Sequence, residues 1–179
     1  MKPSFPNRSS SALLTSLAGL IDFKQEVMVG SATGKVQLAA MRTTPVITTL
    51  IVEDNPSFRV SLREMLLTRF PQMAVDDVGS SEEALERMER TRPDLMFVDI
   101  RLPGQNGLEL TRQLREGDTE LTIVILTNYD LPEFREAAFR FGVNYFFSKS
   151  GSSMEEIITA VEAIVRQKVE ARGDLELSC

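Results

Sequence analysis

Leu95-Met96-Phe97-Val98-Asp99-Ile100-Arg101-Leu102-Pro103-Gly104-Gln105-Asn106-Gly107 is a short apolar run closed by one carboxylate and followed by a loop rich in turn residues. Four bulky apolar residues without alternation read as a strand buried on both faces, and Pro103, Gly104 and Gly107 mark the loop that leaves it. Asp99 therefore falls at the C-terminal end of a strand. In open parallel sheets ligands gather outside those ends, so an acid there is a candidate functional group. By itself it has an ordinary explanation as a helix cap.

Outward from this run, strand and helix patterns alternate five times from Val46 onward, the signature of a parallel sheet covered by helices on both faces. Val46 to Val52 reads as the first strand, followed by Asn55 as cap and Pro56 in the first turn of a helix with Phe58, Leu62, Met65 and Leu66 on one face. Met73 to Val78 is shorter and carries Asp76 and Asp77, which suits an edge. Ser80 and Glu83 make a capping box for the next helix. After the central run, Asn106 opens a helix. Leu121 to Leu126 is a fourth strand, Pro132 starts a helix that Gly142 stops, Val143 to Phe147 is a fifth strand, and Ser152 with Glu155 is expected to box the last helix. The expected organisation is a leader over residues 1–45, disordered or a short amphipathic helix, one domain over 46–170, and a tail over 171–179.

Taken together, the strand ends carry Glu53 and Asp54 on the first strand, Asp99 on the third, Thr127 on the fourth and Lys149 on the fifth. With right-handed crossovers all five converge on one rim. Each has an ordinary structural explanation, but reactive residue types at the end of four strands make a site the better reading.

Composition narrows the chemistry. The 179 residues contain no histidine, which removes imidazole bases, histidine metal ligands and any phosphohistidine on this chain. The lone cysteine is the last residue, Cys179, so no internal disulfide forms and a cytoplasmic location is expected. With 20 basic against 26 acidic residues, direct nucleic-acid binding is not expected. The charge is uneven: Lys2, Arg8, Lys24, Lys35 and Arg42 against Asp22 and Glu26 give the first 45 residues +3, so a total of −6 leaves −9 on the rest. No apolar run approaches the roughly 20 residues that span a bilayer, so no membrane partner is expected. Gly30 to Val36 departs from a phosphate-binding loop in both glycine spacing and its final residue.

From about Val46 to Lys168 the chain resembles the receiver domains of two-component response regulators. The resemblance rests on Glu53-Asp54, on Asp99 with Leu102-Pro103-Gly104 and Asn106-Gly107, on Thr127, and on Lys149. It implies an α/β fold, a doubly wound (βα)5 sheet of five parallel strands in the flavodoxin-like order 2-1-3-4-5 within three layers; that order comes with the resemblance and not from the residues themselves. It further implies phosphorylation of Asp99 by a histidine kinase or histidine phosphotransfer protein in a phosphorelay. Magnesium would be held by Asp54, Asp99 and the Arg101 backbone carbonyl, with Glu53 acting mainly through a water. Thr127 and Lys149 would contact the phosphoryl oxygens, Thr127 and Phe146 would form the switch, and Arg101 and Tyr129 would flank the path of the hydrolytic water.

Two positions depart from the family pattern. Asn128 stands where a small residue, often alanine, leaves room for the phosphoryl group, and Ser150 stands where proline usually follows the lysine. The helix spacing is similar to that of receivers preceding helix-turn-helix output domains, yet only about ten residues follow the last helix pattern. The expectation is a stand-alone phosphoprotein that signals to a downstream protein, or as a phosphorylation-dependent homodimer, through its fourth helix, fifth strand and fifth helix. It is expected to assist its own phosphorylation and dephosphorylation rather than act as an enzyme on an external substrate. The competing readings are a receiver-like interaction module that is never phosphorylated and a doubly wound flavin or nucleotide enzyme. Against the latter, no Gly-rich loop follows the first strand.

Overall fold

The computed structural model describes residues 47–176. The expected leader, the Gly30–Val36 stretch within it and the last residues of the tail lie outside them. Among the described residues ten elements alternate: β1 Ile47–Val52, α1 Pro56–Arg69, β2 Met73–Val78, α2 Ser81–Arg90, β3 Leu95–Val98, α3 Gly107–Gly117, β4 Thr122–Thr127, α4 Pro132–Arg140, β5 Tyr145–Ser148 and α5 Met154–Glu176. All four strand pairings are parallel, and the order is β2-β1-β3-β4-β5. The expected fold class is therefore the observed one.

The two-residue period of the strands divides the core into two layers. Leu50, Met96, Val98, Ile123, Ile125 and Phe146 pack with residues of α2, α3 and α4 on one face. Ile47, Ile51, Leu95, Phe97, Val124 and Leu126 pack with Leu62 and Leu66 of α1 and with Ile157, Val161 and Ile164 of α5 on the other. β3 lies at the centre, and all four of its residues are buried. β2 is indeed an edge strand. Its acids are neutralised from the flanking helices, Asp76 by Arg87 and Asp77 by Arg59 and Arg63.

Several boundaries differ from the sequence expectation, each for a local reason. β5 begins at Tyr145 rather than Val143 because Val143 is used in ending α4: Gly142 takes φ 85° and the Val143 N–H donates to the Ala138 carbonyl. β4 runs one residue later than expected and includes Thr127. The box on the last helix is formed by Ser153 and Glu156, which exchange hydrogen bonds at 3.2 and 2.7 Å, and not by Ser152 and Glu155. The Ser152 hydroxyl is engaged elsewhere, accepting from the Ser148 N–H at 3.1 Å. At α2, Ser80 caps Glu83 as expected, but the Glu83 carboxylate accepts from the Gly79 N–H, one residue before the cap. α5 continues to Glu176, past residue 170 where the domain was expected to end.

Thr49 sits in β1 with 2 % of its surface exposed, and among the described residues its hydroxyl has no hydrogen-bond partner. An unpaired buried hydroxyl costs stability, whereas a methyl of the same shape would not. Thr49→Val is expected to raise unfolding stability by about 1 kcal/mol in a denaturant titration. A loss of stability would mean that a bound water satisfies the hydroxyl.

Candidate functional site

The sheet ladder carries the rim residues into place. Beyond the ends of β1 and β3, the Glu53 N–H donates to the Val78 carbonyl at 3.1 Å and the Asp99 N–H to the Val52 carbonyl at 3.0 Å. Beyond β5, the Lys149 N–H donates to the Thr127 carbonyl at 2.8 Å. Each side chain thus leaves a backbone that a neighbouring strand already holds. Strand alternation places Glu53, Asp99 and Lys149 in line with the layer under α1 and α5, while Thr127 follows Ile123 and Ile125 on the α3 and α4 side.

Lys149 is the hub. Its ammonium donates to Glu53 Oε2 at 2.5 Å and to Asp99 Oδ2 at 2.8 Å, and all three side chains are less than a tenth exposed. Burial pushes the Glu53 carboxyl above its ordinary pKa; the hydrogen bond and charge of Lys149 pull it back down, and the charge of Asp99 adds to the rise. Glu53 Oε1 accepts from the Asn55 N–H at 3.3 Å, and Asp99 Oδ1 from the Arg101 N–H at 3.3 Å. Asp54 is exposed at the mouth of the site.

One carboxylate oxygen each from Glu53, Asp54 and Asp99 lies within 4.8 Å of the others. Three carboxylates so close repel one another, and a single ammonium leaves negative charge in excess. Hard oxygen donors of this kind fit a divalent metal ion.

Gly107 shows how tightly α3 is seated against the acid. A Cβ there would lie 2.0 Å from the Asp99 carbonyl oxygen, so only glycine lets the helix start where it does. Asn106 caps α3 by accepting from the Glu109 N–H, as the sequence indicated.

Across the rim, Thr127 is fully buried and its Oγ1 accepts from the Tyr129 N–H at 3.2 Å. Asn128 is exposed. The Arg101 guanidinium donates to the Tyr129 hydroxyl and lies 5.5 Å from the centre of its ring. Both residues line an open cavity of about 270 Å³ beside Leu102, Asn106 and Phe134. Phe146 is buried on the α4 side beneath Arg135, whose guanidinium sits 4.4 Å from the ring centre and donates to the Phe146 carbonyl and to Asp130. Sequence reasoning missed Arg135, and it read Phe58 as core alone. Phe58 in fact lies 4.4 Å beneath the Lys149 ammonium. Neither contact has a signal in local spacing.

Among the described residues no helix is long and apolar enough to cross a membrane. The sequence model described as the response regulator receiver domain matches residues 49–162. The response regulator MprA of Mycobacterium leprae is 34% identical over 118 residues, 66% of this chain and 50% of that protein. The chain thus spans about half the length of the curated relatives it matches. A LuxR-family two-component response regulator from Aurantimonas is 30% identical with a TM-score of 0.61, covering 70% of this chain and 96% of that one. The BeF3-activated N-terminal receiver domain of Klebsiella pneumoniae RstA is 26% identical with a TM-score of 0.61, covering 66% and 98%. A parallel 2-1-3-4-5 sheet whose rim gathers three carboxylates and a buried lysine agrees with these matches, and the chain belongs to the family of response regulator receiver domains.

Proposed function

We propose that the domain is a phosphorelay response regulator that accepts a phosphoryl group on Asp99 from the phosphohistidine of a histidine kinase or phosphotransfer protein. The observation that carries this reading is Lys149 bridging Asp99 and Glu53 inside the carboxylate cluster. An Asp99 carboxylate oxygen attacks phosphorus as the phosphorus–nitrogen bond breaks; the bonding pair leaves with the imidazole, which takes a proton from solvent. Asp54, Asp99 and the Arg101 backbone carbonyl would hold a magnesium ion, with Glu53 behind it, and the ion would supply positive charge to the phosphoryl oxygens. Lys149 offers a point charge to one phosphoryl oxygen, and the Thr127 hydroxyl a hydrogen bond to another. Reaction with a small phosphodonor and magnesium, followed by borohydride reduction and peptide mapping, is expected to mark Asp99. Reduction at another acid would move the acceptor.

The output follows from the elements behind Thr127. Movement of Thr127 toward a phosphoryl oxygen would draw on the β4–α4 turn, where Asp130 pairs with Arg135 and Arg135 covers Phe146. Repacking of α4, β5 and α5 would then make or break a contact with a downstream protein or a second copy.

Arg101 and Tyr129 are proposed to lengthen the life of the phosphoryl group. The hydrolytic water must attack in line opposite the Asp99 oxygen, and neither side chain is a carboxylate or amide suited to orienting it. Because the two are joined by a hydrogen bond and a cation–π contact, they act as a unit. Tyr129→Ala and Arg101→Asn are each expected to speed phosphate loss about tenfold, or ~1.4 kcal/mol of barrier. The double variant should gain less than the product of the two. Unchanged lifetimes in both single variants would end the shielding idea.

A further inference from the structure

The Lys149 ammonium has carboxylates on two sides and an aromatic face on a third. Glu53 Oε2 and Asp99 Oδ2 accept two of its three N–H bonds, and the Phe58 ring centre lies 4.4 Å from Nζ. Phe58 is itself fixed at the first turn of α1. Its N–H donates to Asn55 Oδ1 at 3.2 Å, Pro56 sets the helix start, and the ring packs against the α1 and α5 core layer. The Asn55 N–H meanwhile holds the second oxygen of Glu53. One short stretch, Glu53 to Phe58, thus grips the lysine from an acid on one side and a ring on the other. The negative face of a benzene ring attracts an ammonium most strongly where water is excluded, as it is around this 7 % exposed side chain. An aliphatic residue would fill the same space without that attraction.

We infer that Phe58 is a positioning residue, holding the Lys149 ammonium at the Asp99 oxygen through the negative face of its ring. The consequence for phosphorylation rests on the reading of Asp99 as acceptor. The role differs from that of a packing residue: it depends on the charge distribution of the ring as well as on its volume. Losing the ring frees the ammonium to leave Asp99, and phosphoryl acceptance slows.

The test uses the full chain with Phe58→Leu, Phe58→Tyr and a series in which residue 58 is phenylalanine carrying one, two or three ring fluorines. Fluorination leaves the ring's shape nearly unchanged while draining its negative face. With a small phosphodonor and magnesium, Phe58→Leu is expected to slow phosphorylation by about five- to thirtyfold, the span from an exposed to a desolvated cation–π contact written as a rate. Phe58→Tyr should restore most of the rate, and the fluorinated series should fall step by step. A flat series, or a Leu variant as fast as the wild type, overturns the inference. A second reading is independent of phosphorylation. In lysine-labelled protein the Lys149 ε-methylene protons should show a ring-current shift that Phe58→Leu abolishes, together with increased motion of the ammonium. Unchanged motion would equally refute the positioning role. A wild type that takes up no phosphate would sink the acceptor reading alone, since the resonance measurement still decides whether Phe58 holds Lys149.

Discussion

Lys149→Met is expected to cost about 3 kcal/mol of stability at pH 8, the loss typical of breaking a buried charge pair from one side. The methionine fills the same space but leaves Glu53 Oε2 and Asp99 Oδ2 without their donor, both in side chains less than a tenth exposed. The loss should depend on pH in a defined direction. Burial already holds the Glu53 carboxyl above its ordinary value of 4.5, and Lys149 opposes that rise, so its removal raises the group further. A carboxyl whose folded pKa lies above its unfolded one favours the folded state at low pH and loses that advantage as pH climbs through the folded value. The deficit relative to wild type should therefore be small near pH 4.5 and grow toward neutrality. Magnesium should recover part of it at pH 8, because a bound cation replaces the missing charge. Thermal melts of both proteins across this range check the point; a deficit independent of pH would show that Glu53 is not the group left exposed to its neighbours.

Gly107→Ala should separate activity from stability. The new methyl would meet the Asp99 carbonyl oxygen at 2.0 Å and Val98 Cγ1 at 2.8 Å, and the nearer partner is backbone. Either α3 or the end of β3 has to move. Overpacking of this kind costs about 1–3 kcal/mol, which the domain can survive. Phosphorylation is more sensitive, since a misplacement of about 1 Å in a reacting group can cost on the order of a hundredfold. The expected result is a folded protein phosphorylated about a hundredfold more slowly. Gly117→Ala on the same helix is the control: a Cβ there has nothing within 4 Å, so its rate should equal that of the wild type. Equal rates for Gly107→Ala and Gly117→Ala would mean that α3 yields without disturbing Asp99.

The sheet was legible because its signal is physical and local. The unbroken apolar run of β3 reports burial on both faces, and the acids of β2 report an edge, which is where the two strands lie. Boundaries were less legible wherever two solutions share one pattern. Ser152 with Glu155 and Ser153 with Glu156 both satisfy the capping-box spacing; what decides between them is the N–H of Ser148, the last residue of β5, claiming the Ser152 hydroxyl. Val143 has strand chemistry but lies in the bond that closes α4. At the rim, the residue types announced a site, and parallel pairing brought Glu53, Asp99 and Lys149 into contact. The ring beneath Lys149 was hidden because Phe58 also fits the inner stripe of α1, and the two roles carry the same sequence signature. The unpaired Thr49 hydroxyl was hidden for a related reason: a strand threonine says nothing of whether a partner faces it.

Everything proposed about signalling depends on Asp99 as the phosphoryl acceptor, and intact mass measures that directly. Wild type and Asp99→Asn, both checked for folding by circular dichroism, are incubated with a small phosphodonor and magnesium. The wild type is expected to gain one phosphoryl group that hydroxylamine removes, as an acyl phosphate requires, and Asp99→Asn to gain none. No mass gain on the wild type under any donor or metal condition, or a hydroxylamine-resistant group that persists on Asp99→Asn, would contradict the account.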